Sequence, residues 1–455
     1  MEKKEKEDIS PEKMSIGRKV SIVEGAFYGI SESCGMKYIT PFALALGASN
    51  FIVGIISSLP QFLGNLVQLH TLTVLGKNIT RKAICTIGAV LQASLHLVMI
   101  GLAYFYFRGH ASSDYISLML VVLYSFLIIS GSYMVPAWTS WMKQIVPEKY
   151  GAYFGTRNRY YLLAIIIGMV FSAWVLSSAD SLLYGFAIVF ITAFAARMLS
   201  ASLFMVQYEP PYRNGLMKGQ TLGKLIKNLS KSNFGRFVKY VMLVYVATYF
   251  SSPFYYVYIL KDLHFNYFQY MAVSVVFPVS QMVFMPAWGR FSDRYGTVFT
   301  LRITGLLTPF VALFWLVSAP LSKYYPNIVF YYLLCSEIFS GFAWSGFLLS
   351  ASNFIYESSA PTHIPRAIAN YNIITGAGNL IGSTLGGIIA TQHFSFAGLT
   401  PIFLVMLISP LARMAVYALL ISGIYEVREV AKFSFKEFAL RLKQKRIKGI
   451  FKAFR

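Results

Sequence analysis

The stretch Trp288-Gly289-Arg290-Phe291-Ser292-Asp293-Arg294-Tyr295-Gly296 separates two long apolar segments of the chain. Gly289 permits a tight turn there, because glycine has no side chain to clash. Asp293 lies where the next helix should begin, so its carboxylate would accept hydrogen bonds from free backbone N–H groups. Arg290 and Arg294 are typical of the cytoplasmic side of a membrane. These nine residues predict a charged turn between two membrane-spanning helices.

The composition on both sides of this turn is that of a membrane protein. Of the 455 residues, 56% are hydrophobic and 13% are charged, whereas soluble domains carry about 25% charged residues. A membrane span needs roughly 20 mostly apolar residues, and twelve segments of the chain meet this requirement. They lie near 18–46, 50–74, 82–107, 115–142, 158–178, 182–207, 237–260, 267–288, 297–319, 327–353, 368–392 and 399–424.

The basic residues are unevenly distributed among these segments. The net charge of +22 would by itself also suit a nucleic-acid-binding protein. With a cytoplasmic N-terminus, however, 34 of the 40 Lys and Arg fall in cytoplasmic segments, as the positive-inside rule requires. We therefore expect no nucleic-acid partner and a multi-pass protein of the cell membrane. Both termini and the Asp293 turn should then lie in the cytoplasm.

The two halves of the chain repeat one another. Pro41 recurs as Pro253, and Arg197 recurs as Arg413. From the first pair to the second the spacing grows only from 212 to 216 residues, as duplication with small loop insertions would produce. Parallel six-span repeats of this kind occur in membrane transporters. The expected organisation is an N-terminal tail at 1–17, a six-helix bundle at 18–207, a cytoplasmic linker with a short amphipathic helix at 208–236, a second six-helix bundle at 237–425 and a basic amphipathic tail at 426–455.

The turn resembles the signature loop of the Major Facilitator Superfamily of transporters, which reads roughly G-x-x-x-D-R-x-G. Its counterparts here are Gly289, Asp293, Arg294 and Gly296. The resemblance implies an all-α fold of twelve transmembrane helices in two pseudo-symmetric six-helix bundles. It also implies that this loop holds the inner helix ends together in one state of an alternating-access cycle.

The first half contains a second, incomplete copy of the loop. Gly76 and Arg81 match the pattern, but Thr80 stands where the acidic residue is expected. The latch is therefore either confined to the second half or uses Thr80 as a weaker helix cap.

Three carboxyl groups lie within predicted spans, where an ionisable group costs roughly 2.5–3.5 kcal/mol to insert. Glu24 and Glu32 belong to span one, and Glu337 lies in the middle of span ten. Apolar surroundings favour the protonated form of a carboxyl group, so each of the three is a candidate for proton coupling. The alternative for each is a structural ion pair, such as Glu32 with Lys37 or Glu337 with an intramembrane arginine.

Two arginines, Arg197 and Arg413, fall in the middle of spans six and twelve at equivalent positions of the repeat. A solute rarely contacts both halves of a transporter alike, so the repetition favours a structural role. Backbone carbonyls and the intramembrane acids are their expected partners.

By the same resemblance, spans one, four, seven and ten line a central cavity. Tyrosine and tryptophan offer a flat apolar face and one hydrogen-bonding group, which suits a small organic solute. Span two adds a stripe of polar side chains. The alternative for each of these residues is packing within the bundle or at the membrane interface. The solute-binding candidates are Tyr28, Gln61, Asn65, Trp138, Tyr249, Tyr256 and Trp344.

The sequence contains no P-loop, no H-E-x-x-H and no Cys and His set at metal-ligand spacing. We therefore expect no enzyme activity, no cofactor and no metal site.

The best interpretation is a secondary active transporter that moves a small organic solute by alternating access, with coupling to H⁺ as an option. The alternatives are a multidrug or metabolite efflux antiporter and a non-transporting receptor or scaffold. Anionic inner-leaflet lipids should bind the basic tail, and the chain is expected to be a monomer.

Overall fold

The computed structural model describes residues 11–74, 79–146, 150–211, 221–359, 363–392 and 400–430. Within these ranges the regular elements are helices, and the predicted all-α membrane fold is confirmed. The helices are α1 (Pro11–Gly35), α2 (Ile39–Ala45), α3 (Asn50–Val74), α4 (Arg81–Phe107), α5 (Ser113–Ile145), α6 (Tyr150–Ser178), α7 (Leu182–Val206), α8 (Leu222–Lys227), α9 (Asn233–Tyr249), α10 (Ser252–Val257), α11 (Tyr267–Tyr295), α12 (Thr297–Tyr324), α13 (Pro326–Ser358), α14 (Ile364–Ala390) and α15 (Pro401–Leu420). A π-helical turn (Tyr258–Asp262) follows α10, and a 3₁₀ turn (Ile421–Gly423) follows α15.

Eleven helical segments of the described chain are long and apolar enough to cross a membrane. One of them combines α9, α10 and the π-helical turn. The long helix α1 is not among the eleven, and it carries Glu24 and Glu32 together with basic residues near its start. The predicted first span, 18–46, is divided in the structure, because α1 ends at Gly35 and α2 begins at Ile39.

The helices pack in the same pattern in both halves of the chain. In the first half α1 packs against α6 and α7, α4 packs against α5 and α7, and α3 packs against α5. In the second half α9 packs against α14 and α15, α12 against α13 and α15, and α11 against α13. The halves meet where α3 contacts α14 and where α6 contacts α11. A pseudo-twofold axis between the halves would exchange these two contacts.

We call the end of the bundle that holds the Asp293 segment and the start of α1 the tail end, and the opposite end the far end. At the far end hydrogen bonds join the two halves. The Tyr270 hydroxyl donates to the Lys37 carbonyl at 3.2 Å, and Asn50 Nδ2 donates to the Ala390 carbonyl at 2.7 Å. The cavity described below is therefore bridged on its far side.

The predicted turn at Asp293 is built differently in the structure. The helix α11 continues through Gly289 and Asp293 and ends just before Gly296, so the prediction that Gly289 turns and Asp293 caps the next helix is wrong. The turn occurs at Gly296, whose φ of 104° favours glycine. The carboxylate at the start of α12 comes instead from Glu426, which accepts from the first two backbone N–H groups of that helix at 3.2 and 2.9 Å.

The charged residues of this loop lie in the last turns of α11. Asp293 and Arg290 are exposed at the tail end. The Arg294 guanidinium lies over the ring of Tyr295, 5.1 Å from its centroid. All three charges therefore remain at the tail-end surface rather than at a helix start.

The matching loop of the first half lacks an acid, and Gly76 lies outside the described residues. Thr80 is the N-cap of α4, and its hydroxyl accepts from the Ala83 N–H at 3.1 Å. An acid reaches this helix start from elsewhere, since Glu209 accepts from the backbone N–H of Arg81 at 2.9 Å and from its Nε at 3.1 Å. In both halves, therefore, an acid that follows the last helix binds the start of the third span.

Candidate functional site

Two neighbouring cavities lie where the halves meet. Their volumes are about 480 Å³ and about 530 Å³. Thr40, Ser57, Tyr256 and Phe277 belong to the walls of both. The first two of these residues come from the first half of the chain and the other two from the second half. Movement of one half against the other would therefore reshape both cavities.

The wall of the first cavity is rich in aromatic side chains. The helix break between α9 and α10 places tyrosines from both sides of the break on this wall. Tyr245 stacks with Trp344 at a centroid distance of 6.2 Å, and Tyr255 stacks on Trp315 at 4.5 Å. Such faces suit a planar or partly apolar solute. The aromatic residues of the wall are Tyr245, Tyr249, Tyr255, Tyr256, Phe277, Trp315 and Trp344.

Glu337 supplies an acid to this wall. Its side chain is buried in the middle of α13, and its Oε1 accepts a hydrogen bond from Trp315 Nε1 at 3.0 Å. Among the described residues no lysine, arginine or histidine forms an ion pair with Glu337. The alternative expectation, an ion pair between Glu337 and an intramembrane arginine, is therefore not realised in this structure.

Arg413 supplies the one basic side chain of the same wall in the described chain. It is 2% exposed. Its Nη1 donates to the Thr308 carbonyl at 2.9 Å, and its Nη2 lies 3.5 Å from the Ser251 hydroxyl. That hydroxyl also contacts the Tyr255 hydroxyl at 2.9 Å. The acid and the base of the cavity are thus connected through Tyr255 and Trp315 rather than directly.

The second cavity also lies at the junction of the halves. Gln61 lies on it, and its Nε2 donates to Asn65 Oδ1 at 3.2 Å. Asn65 Nδ2 in turn donates to the Asn372 carbonyl at 2.8 Å. Gln61 is therefore available to a solute, whereas Asn65 connects α3 to α14.

A separate charged cluster is buried in the first half, in contact with neither cavity. Glu24 lies 3.0 Å from Arg157 and 3.7 Å from Arg197. Ser200 donates to Glu24 Oε1 at 2.9 Å, and Arg197 Nε donates to Gln92 Oε1 at 2.9 Å. The cluster joins α1, α4, α6 and α7, so it stabilises the packing of this bundle.

Glu32 lies toward the far end of α1 and also has charged and polar partners. It forms an ion pair with Lys37 at 3.5 Å and accepts a hydrogen bond from Tyr161. Tyr28 stacks on Tyr161 at 5.9 Å, and the Arg197 guanidinium lies 4.7 Å from the Tyr28 ring centroid. Lys37 lies on the wall of the second cavity, whereas Glu32, Tyr28, Tyr161 and Arg197 belong to neither cavity wall.

The structure brings part of the predicted binding set together. Tyr249, Tyr256 and Trp344 line the first cavity, and Gln61 lines the second. Trp138 lies elsewhere, with its ring 4.5 Å from a guanidinium of the buried cluster.

Two residues of these sites were missed by sequence reasoning. Trp315 belongs to span nine, which is not expected to line a cavity, and a tryptophan in mid-span was the available signal. Arg157 falls just before the predicted span 158–178, but it lies in α6 and is buried beside Glu24. The spacing of the sequence does not show that α6 begins eight residues before that span, at Tyr150.

Comparison with known proteins agrees with this architecture. Residues 240–452 match the family model described as Major Facilitator Superfamily. Over 134 residues the chain is 31% identical to solute carrier family 67 member A1 of Homo sapiens, covering 30% of this chain and 29% of that protein. A segment of the same length, 134 residues, is 31% identical to solute carrier family 22 member 18 of Mus musculus, and the match covers 30% of each protein. The match thus spans less than a third of these curated relatives.

Similar solved structures cover nearly the whole chain. A mutant of the nucleoside transporter NupG has a TM-score of 0.67 at 15% identity, covering 90% of this chain and 100% of that one. A bacterial homologue of the iron transporter ferroportin, in an inward-facing state, has a TM-score of 0.67 at 10% identity, covering 90% and 99%. A POT family transporter in complex with a thioalcohol-conjugated peptide has 0.67 at 12% identity, covering 89% and 95%.

The helical repeat, the cavity between the halves and these likenesses define an all-α multi-pass membrane fold of the kind found in Major Facilitator Superfamily structures. The second half of the chain is similar to the Major Facilitator Superfamily, and the subfamily is unassigned.

Proposed function

We propose that this chain is a secondary active transporter that moves a small organic solute by alternating access, coupled to protons through Glu337. The observation that supports it most is a buried carboxyl group in an aromatic cavity, for which the described residues provide no cationic partner. That cavity takes wall residues from both halves of a repeated bundle.

The packing of the halves supports alternating access. The contacts of α3 with α14 and of α6 with α11 flank the cavities, and hydrogen bonds bridge the halves at the far end. Rocking of one half against the other about these helices would break the far-end bridges and close the tail end. A solute in the cavity would thereby become accessible from the opposite side of the membrane.

The surroundings of the three intramembrane acids favour Glu337 for coupling. Glu24 lies between two guanidinium groups, and Glu32 is paired with Lys37. Within the described part of the chain the charge on Glu337 has no such compensation, and an uncompensated charge is costly at this depth. A bound proton, or a cationic group of the solute, would remove that cost when the halves move.

We infer the class of solute from the cavity and not from the names of the similar solved structures. The similar structures are named for a nucleoside transporter, a homologue of an iron transporter and a peptide-bound POT family transporter. These names share no single solute. The aromatic wall and the volume of about 480 Å³ suit a small organic molecule.

We further propose that the tail end faces the cytoplasm in the cell membrane, because the basic segments of the sequence concentrate there. Labelling of intact cells with a membrane-impermeant maleimide, in a Cys335→Ser background, checks this. His110→Cys should be labelled and Arg290→Cys should be protected; the opposite pattern would reject the orientation.

The proposed lipid-binding tail after residue 430 lies outside the described residues, and a monomeric state stays a prediction.

Flux in proteoliposomes tests the proposed function. The vesicles contain a fluorescent pH indicator and are offered nucleosides, amino acids, carboxylates and sugars, with and without an imposed pH gradient. We expect at least one solute to accumulate with the gradient and to acidify the lumen. Glu337→Gln should abolish the accumulation but leave solute exchange, because the site still binds but no longer carries a proton.

Glu32→Gln is the matched control, since Glu32 lies on no cavity wall and should leave accumulation intact. Loss of accumulation in Glu32→Gln alone would move the coupling site to α1. Proton-driven export in place of uptake would identify an antiporter. Binding without any flux would indicate a receptor or scaffold and would reject transport.

A further inference from the structure

We propose that Arg413 binds a carboxylate group of the transported solute, so that the solute is a small organic anion with a planar apolar part. This inference rests on the proposed transport function and names its substrate class. It assigns a binding role to an arginine whose repeated position in the sequence favours a structural one.

The contacts of Arg413 leave its positive charge without a counter-ion. The described neighbours that accept its hydrogen bonds are neutral oxygens, those of the Thr308 carbonyl and of the Ser251 and Tyr255 hydroxyls. Its Nε has no acceptor although it is buried. The Arg413 guanidinium is 2% exposed and lacks both a carboxylate and one hydrogen bond among the described residues. Burying such a charge destabilises the protein unless a ligand supplies the missing acceptor.

The equivalent arginine of the first half shows what is missing. Arg197 lies 3.7 Å from the Glu24 carboxylate, and its Nε donates to Gln92 at 2.9 Å. Its Nη1 donates to Ser200 at 2.8 Å. The chain thus provides an acid for Arg197 but none, in the described ranges, for Arg413. Only Arg413 lies on the wall of a cavity from which an external acid could approach.

The rest of the cavity defines the body of the anion. Tyr255, which contacts the same serine as Arg413, stacks on Trp315 at 4.5 Å, and Tyr245 stacks with Trp344 at 6.2 Å. Aromatic faces on this wall favour a planar or aromatic group beside the carboxylate. Glu337 is hydrogen-bonded to Trp315 and not to Arg413, so its carboxyl group can take a proton while the solute carboxylate occupies Arg413.

A carboxylate is favoured over an inorganic anion by this surrounding. A small inorganic anion at Arg413 would leave the aromatic wall in contact with water, whereas an aromatic carboxylate would cover it. Guanidinium groups bind carboxylates through paired charged hydrogen bonds, which are stronger than neutral ones. Phosphate is therefore the comparison that separates a free inorganic ion from an organic solute.

Ligand binding to the purified full-length protein in detergent tests the inference without requiring flux. The probes are benzoate, its neutral analogue benzamide, and inorganic phosphate, with thermal stabilisation and calorimetric titration as readouts. Benzoate should bind about 10- to 100-fold more tightly than benzamide, the ratio expected for one charged hydrogen-bonded contact. Phosphate should bind more weakly than benzoate.

Three variants make the result specific to the cavity. Arg413→Gln should lose the preference for benzoate over benzamide, and Arg413→Lys should keep part of it because the charge remains. Glu337→Gln should bind benzoate at least as tightly as the unchanged protein, since an acid has been removed from the wall. This last variant keeps the test valid if Arg413→Gln fails to fold.

The inference is overturned if benzoate fails to bind, if benzamide binds equally well, or if a folded Arg413→Gln keeps the preference. It is also overturned if phosphate binds as tightly as benzoate or if Glu337→Gln weakens benzoate. Gradient-driven flux of a neutral solute alongside any of these results would leave the proposed transport function standing and reject only the anionic substrate.

Discussion

Glu24 is the residue on which the charge balance of the first bundle depends. Its carboxylate lies 3.0 Å from Arg157 and 3.7 Å from Arg197, and its side chain is 3% exposed. Removing the one acid of such a group leaves two buried guanidinium charges that repel each other and have lost their counter-ion. Breaking a buried ion pair from one side typically costs about 3–5 kcal/mol.

We therefore predict that Glu24→Gln lowers the thermal stability of the purified protein strongly, by a free energy on the order of 3 kcal/mol. Glu32→Gln is the matched control, because its partner Lys37 is 47% exposed and the pair is solvent-screened. The control should cost less than about 1 kcal/mol. Thermal unfolding in detergent measures both. Equal melting temperatures for the two variants would show that the cluster does not stabilise the bundle.

At the scale of single elements, glycines let α14 approach α9 closely. A Cβ added at Gly382 would overlap the Val246 carbonyl, and one at Gly386 would overlap the Phe250 carbonyl. Small residues at such positions let helix backbones pack in lipid, where association depends on van der Waals contact and not on the hydrophobic effect. The α9–α14 contact is the counterpart of the α1–α6 contact in the first half.

The prediction at this scale is that Gly382→Ala separates α9 from α14 and destabilises the protein by about 1–3 kcal/mol. Gly101→Ala in α4 is the control, because a Cβ there meets no atom within 4 Å. Alanine should be neutral at position 101 or should stabilise the helix by about 0.5–1 kcal/mol. Thermal unfolding compares the two. Unchanged stability in Gly382→Ala would mean that the helices are not in close contact.

Several elements could be predicted from the sequence, and their ends could not. Long apolar segments predict helices because every backbone polar group in lipid must be satisfied within the chain. The bounds depended on contacts that the sequence does not display. The helix α11 extends past Asp293, because the turn occurs at Gly296 and the acid for the next helix arrives from Glu426.

At the scale of the whole molecule, hydrogen bonds join the two halves at the far end of the cavities. The far end carries the bridge between Tyr270 and Lys37 and the bridge between Asn50 and Ala390. Alternating access requires these bridges to open in one state of the cycle. A covalent link at the same place should hold the halves in the state described here.

We predict that Asn50→Cys combined with Ala390→Cys, in a Cys335→Ser background, loses solute flux when a short bis-methanethiosulfonate joins the two thiols through reducible disulfides. Reduction should restore the flux. The control pair, Arg108→Cys with His110→Cys, lies at the far end within one half and should leave flux unaffected by the reagent. The measurement is flux in proteoliposomes before and after linking. Undiminished flux with the halves joined would argue against rocking.

The sequence by itself determined the class of fold, the two-part repeat and the order of apolar spans and basic segments along the chain. These properties follow from composition and spacing, because lipid accepts only helices with satisfied backbones and basic residues favour one face of the membrane. It also indicated five residues of the cavity walls, namely Gln61, Tyr249, Tyr256, Glu337 and Trp344, since polar and aromatic side chains within spans are candidates for a binding site.

Only the tertiary structure decided which charges meet. Glu24 and Ser200 are 176 residues apart in sequence and 2.9 Å apart in space. The equivalent arginines Arg197 and Arg413 have the same sequence context, yet packing gives one an acid and leaves the other on a cavity wall. Burial, partners and cavity access depend on how distant helices pack, and no local pattern of residues encodes that arrangement.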